Sequence, residues 1–140
     1  MAGTRTLLIV DGANVVGSRP DGWWRDRLAA TARLRDQLAV ALADGLPRLP
    51  PPVDVVLVVE GAAGELPGTA GVRVAAASGS GDDLVVRIAT DEAAGYDRVL
   101  VTTADRQLRE RVRAVGAQVL GPRWLTGQLD LADRHQDTGE

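Results

Sequence analysis

Leu7-Leu8-Ile9-Val10 is a wholly apolar run that stops abruptly at Asp11-Gly12. The design recurs along the chain: Val53 to Val59 stops at Glu60-Gly61, Val72 to Ala76 leads into Ser78-Gly79-Ser80-Gly81, and Val99-Leu100-Val101-Thr102 is followed by Asp105. An apolar run without alternation predicts a strand buried on both faces, the condition of a parallel sheet covered by helices. Helical patterns separate the runs. A long helix is expected from Trp23 to Ala43, where Leu34, Leu38 and Leu42 recur every four residues, Leu28 and several alanines extend the stripe, and Gly45 and Pro47 end it. Pro50-Pro51-Pro52 reads as a stiff connector and Gly61 to Gly71 as a turn-like stretch. Further helices are expected from Asp82 to about Ala94, from Ala104 to Ala114 and from Pro122 to Asp133, with a short strand at Val119-Leu120. This alternation predicts an α/β domain with a mainly parallel sheet of about five strands. A chain of 140 residues supplies one self-sufficient core, assigned here to residues 1–135, with 136–140 as a frayed tail.

Composition narrows the chemistry. There is no cysteine, which excludes disulfides, thiolate nucleophiles and Cys-ligated metals. All 16 basic residues are arginine, so neither a P-loop lysine nor a Schiff base is possible. The only histidine, His135, sits in a polar stretch near the end and reads as a solvated residue. Catalysis would therefore fall to carboxylates, hydroxyls, arginines and whatever metal the carboxylates hold. The first apolar run is too short for a signal-peptide core and no run reaches a transmembrane length, so a cytoplasmic protein without a membrane partner is expected. The net charge of −3 argues mildly against a general nucleic-acid coat, but two bound divalent cations would reverse its sign.

The acids are not scattered. Asp11 and Glu60 end the first two strands, Asp82 and Asp83 follow the third, and Asp105 follows the fourth. Right-handed crossovers bring the carboxyl ends of parallel strands to one crevice, so these side chains should converge. Like charges gathered there need protons or cations to neutralise them, and without His or Cys the natural guest is Mg²⁺ or Mn²⁺. Each acid also has a purely structural explanation: Asp82, Asp83 and Asp105 suit the first turn of a helix. Asn14 either orients Asp11 or a metal-bound water, or caps a turn. Thr102 and Thr103 either bond a phosphate or a metal-bound water, or bond the local backbone. Arg19, Arg25 and Arg27 surround the first loop, and Arg106, Arg109 and Arg113 follow Asp105; these suit phosphate or a solvated helix face equally. Trp23 and Trp24 adjoin the same loop, where one can stack a base or pack under the helix, whereas Trp124 reads as core.

Three of these segments, Asp11-Gly12-Ala13-Asn14, Gly81-Asp82-Asp83-Leu84-Val85 and Val101-Thr102-Thr103-Ala104-Asp105-Arg106, resemble in order and spacing the acidic motifs of NYN domains of the YacP-like type, within the PIN-like ribonuclease group. The resemblance spans Leu7 to about Leu125. It implies a three-layer α/β/α sandwich and a metal-dependent RNA endonuclease that leaves a 5′-phosphate. It assigns Asp11, Asp82 and Asp105 to the metal, with Asn14 and Asp83 in support. Glu60 departs from the aspartate expected at its position, and the loop Ser18 to Trp24 is more elaborate than in the simplest members. The substrate expected is RNA, gripped by Arg19, Arg25, Arg27, Arg106 and Trp23, and delivered by the ribosome or another protein; the sequence leaves oligomeric state open, a homodimer included. The competing expectation is a catalytically silent RNA- or protein-interaction module on the same fold. A dehalogenase-type phosphohydrolase is disfavoured because the position two residues after Asp11 is Ala13, and a dinucleotide-binding domain because the first turn lacks G-x-G-x-x-G.

Overall fold

The computed structural model describes residues 4–138. Five parallel strands form one sheet in the order β3-β2-β1-β4-β5, namely β1 (Thr6–Asp11), β2 (Val53–Val59), β3 (Val72–Ala76), β4 (Arg98–Thr102) and β5 (Gln118–Leu120). The helices are α1 (Gly12–Gly17), α2 (Arg27–Asp44), α3 (Gly81–Asp91), α4 (Arg106–Ala114) and α5 (Pro122–Thr138). Side chains alternate across the strands, so the apolar runs feed two cores. Leu8, Val10, Val55, Leu57, Val59 and Leu100 pack with buried residues of α1, α2 and α5. Leu7, Ile9, Val56, Val58, Val99 and Val101 pack on the other face with α3 and α4. This is the three-layer α/β/α architecture, and no helix among the described residues is long and apolar enough to cross a membrane.

The strands fall where the apolar runs predict them; the helices differ at their ends. The expected helix from Trp23 is broken: Trp23–Arg25 form a short 3-10 turn and α2 starts at Arg27, because the Asp26 side chain accepts the Ala29 N–H at 3.0 Å and caps it. Ala30, Thr31, Leu34, Leu38, Ala41 and Leu42 are its buried stripe, each leucine contributing about 1.5–3 kcal/mol by burial. Leu28, expected to extend that stripe, is instead 40% exposed; six residues before Leu34, it lies roughly 240° around the helix. Ser80 rather than Asp82 caps α3, which ends at Asp91 before a 3-10 turn, Ala93–Gly95. Asp105 caps α4, so that helix starts at Arg106. The backbone of α5 continues to Thr138, past the expected end at Asp133 and into the expected tail; the His135 side chain and residues 139–140 lie outside the described residues.

Two features position the site. With β2 and β4 on either side of β1, the chain changes winding direction at β1, which opens a crevice at the carboxyl ends of β1 and β4. The link from β2 to β3 contains only a 3-10 turn, Gly61–Glu65, whose Ala63 joins the core beneath α2.

Candidate active site

Asp11 is both the last residue of β1 and the N-cap of α1, and only 5% exposed. It can be both because Gly12 follows: a Cβ there would sit 2.5 Å from the Val58 carbonyl oxygen of β2, so α1 starts against the neighbouring strand only with glycine. The carboxylate is held from two sides. Its Oδ1 accepts the Asn14 N–H at 3.4 Å and its Oδ2 accepts the Thr103 hydroxyl at 2.9 Å. Thr103 Oγ1 in turn accepts the Asp105 N–H at 3.2 Å, and Asp105 Oδ1 accepts the Leu108 N–H at 2.9 Å as the cap of α4. Asn14 closes the stitching: its Oδ1 accepts the Ala104 N–H at 2.9 Å, tying α1 to the loop after β4.

From the other flank, Glu60 leaves β2 and its Oε2 accepts the N–H of Gly81, the first residue of α3, at 2.8 Å. A Cβ at position 81 would collide with that carboxylate. The contact holds the start of α3, and with it Asp82, beside the end of β2.

The electrostatics follow from this crowding. Burial pushes the Asp11 carboxyl above its ordinary pKa; the bonds from Thr103 and Asn14 oppose the shift, and the charges of Asp82 and Glu60 add to it. Asp82, half-buried, is also raised, first by desolvation and then by Asp105 and Glu60, against a lowering by Arg111. Asp82 is thus the acid that joins the others across the strand ends, acting on Asp11 and acted on by Asp105 and Glu60. Asp83 faces outward and pairs with Arg111 of α4 at 2.9 Å.

The donor set suits a hard divalent cation, all oxygen and under mutual repulsion. Mg²⁺ is commonly held by one or two carboxylates with its remaining positions filled by water and substrate oxygens. Among the described residues, no three acids close on a single point as a ready-made metal centre. Several of their oxygens are instead engaged by the N–H and O–H groups that position them.

The remaining candidates divide. Thr103 reaches the site, whereas the buried Thr102 hydroxyl has no hydrogen-bond partner among the described residues. Arg19 Nη2 lies 3.3 Å from Asp130 and fastens the loop after α1 to α5. Arg25 lies over the Trp24 ring and Arg27 over the Trp23 ring. Trp23 packs half-buried against the core, as does Trp124, and Trp24 is exposed. Arg106 is exposed, and Arg109 is half-buried with no partner for its Nε among the described residues. Sequence reasoning passes over Arg111, whose partner lies on another helix, and over the Gly81 amide, whose only sequence signal is glycine directly before Asp82.

No family model matches the chain, and no curated protein does. Solved structures do match. Rae1 (YacP) from Bacillus subtilis superposes with a TM-score of 0.72 at 18% identity, over 94% of this chain and 78% of that one. A tryptophan-to-leucine variant of the same protein gives 0.74 at 17% identity, over 95% and 80%. Likeness at such low identity is a likeness of fold: the chain has the YacP-like architecture.

Proposed function

We propose that the chain is a divalent-metal-dependent endoribonuclease of the NYN, PIN-like type. The observation that carries the reading is Asp11, a buried carboxylate kept at a strand end in the field of Glu60 and Asp82, the latter itself in the field of Asp105. An arrangement so unfavourable to bare charge is explained by a cation that it awaits. Asp11 and Asp82 would hold Mg²⁺ or Mn²⁺, with Asp105 and Glu60 flanking; Asp83, turned toward Arg111, belongs to the rim. When bound, such an ion lowers the pKa of its water and offsets charge on a leaving oxygen. Thr103 fixes the orientation of Asp11, and Asn14 fixes the loop that carries Thr103 and Asp105. In the reaction, water adds to phosphorus, the 3′-oxygen leaves, and the downstream fragment keeps a 5′-phosphate.

The test is cleavage of a 5′-labelled unstructured RNA with Mg²⁺, Mn²⁺ or EDTA, using wild type, Asp11→Asn and Asp82→Asn. Products with new 5′-phosphates, lost with EDTA and in both variants, support the reading; cleavage that survives EDTA and both substitutions contradicts it. A second reading, a silent RNA- or protein-interaction module, is favoured by the lack of three converging acids among the described residues. It predicts RNA capture without cleavage in either metal.

A further inference from the structure

The strap that joins α1 to α2 presents its largest apolar side chain to solvent. Trp24 is 60% exposed, in a chain with only three tryptophans, one tyrosine and no phenylalanine. The ring is nonetheless fixed. It meets Trp23 edge to face, with centroids 6.2 Å apart at 87°, and Trp23 packs against the core beneath α2. The backbone is fastened at both ends of the turn: Arg25 N–H reaches the Gly22 carbonyl at 3.0 Å, Asp26 N–H reaches that of Trp23 at 3.2 Å, and Asp26 caps α2. Gly22 sits at φ 76°, a conformation that favours glycine.

Charge and position name the occupant. Arg25 lies 5.8 Å over the Trp24 ring and Arg27 lies 5.9 Å over the Trp23 ring. Neither guanidinium has a carboxylate partner among the described residues. Trp23 and Arg27 share a narrow crevice with Gly12 and Glu60, so the strap borders the acidic strand ends. An exposed aromatic with one guanidinium over it and a second over its neighbour, neither in an ion pair among the described residues, fits an unpaired base with its phosphates, and a base inside a duplex would not be available to it.

We infer that Trp24, with Arg25 and Arg27, forms a stacking platform for an unpaired base of single-stranded RNA next to the carboxylate site. This rests on the nuclease reading and adds to it the residues that seat a base of the substrate. Trp24 is here a substrate-positioning residue, distinct from Trp23, which supports it from the core.

The experiment measures binding rather than turnover. Fluorescence anisotropy follows a short labelled single-stranded RNA and its abasic counterpart on an Asp11→Asn background, with thermal melts showing that each strap variant folds. Trp24→Ala should weaken the base-bearing strand about tenfold or more and leave the abasic strand unchanged, and Trp24→Phe should recover most of the loss. Arg25→Ala should flatten the slope of log affinity against log salt by about 0.7, which Trp24→Ala should not. Equal affinity of Trp24→Ala and its parent for the base-bearing strand overturns the platform. So does failure of the parent to bind either strand. Wild-type cleavage, assayed in parallel, then tells whether the nuclease reading stands without it.

Discussion

Asp11 shows how much of a site can depend on one hydroxyl. Thr103 donates to its Oδ2 and at the same time accepts from the Asp105 N–H, so one buried side chain sets the spacing of two acids from different strands. Thr103→Val should destabilise the fold by about 1–3 kcal/mol, the range for stranding a buried hydrogen-bonding group, and raise the Asp11 pKa further. Thr103→Ser should restore most of both, read by urea melts and by the pH dependence of cleavage. A second consequence concerns pH. Because Asp11 and Asp82 are raised in the folded state, the folded chain holds protons that the unfolded chain has released. The contribution of these two acids to metal-free stability is therefore full below their ordinary pKa of 3.8 and is lost as pH rises through the folded values. Asp82→Asn should flatten that fall in urea melts across pH in EDTA; an unchanged slope would show that the Asp82 carboxyl is not raised in the folded state.

At the scale of elements, the two glycines that open α1 and α3 differ in kind. A Cβ at Gly12 meets the backbone oxygen of Val58, which cannot move without disturbing β2. One at Gly81 meets the end of the flexible Glu60 side chain. Gly12→Ala should thus cost about 1–3 kcal/mol, as overpacking does, and Gly81→Ala distinctly less, read by denaturant midpoints. The same contrast explains what was legible in the sequence. The bounds of β2 follow from its apolar run, because a strand with neighbours on both sides and helices on both faces leaves no other pattern, whereas β3 is a half-exposed edge strand that carries Arg73 and is marked by Val72, Val74 and the glycines around it. The six-residue α1 was not legible: Gly12 to Gly17 reads as a turn, and only its packing against β2 makes a helix of it. The break between the 3-10 turn and α2 was hidden because Asp26 looks like any polar residue within a helix until its side chain is seen on the Ala29 N–H.

For the whole molecule, the decisive fact is strand order. With β1 central and β4 beside it, residues 92 apart in sequence, Asp11 and Thr103, come within hydrogen-bond distance. That Asp11, Glu60, Asp82 and Asp105 lie along one edge of the sheet was legible because parallel strands share a carboxyl edge; that no three of them close on one point among the described residues was not. The outward turn of Asp83 and the engagement of Arg19 by Asp130 were not, since both are settled by partners on other helices. The proposed cation site at this edge is tested most directly by titration of Mn²⁺ into the metal-free protein, followed by thermal melting. Wild type should gain thermal stability with Mn²⁺ over its own melt in EDTA, while Asp11→Asn and Asp82→Asn, each compared with its own melt in EDTA, should gain little or none. Wild type and both variants responding alike to the metal would contradict it.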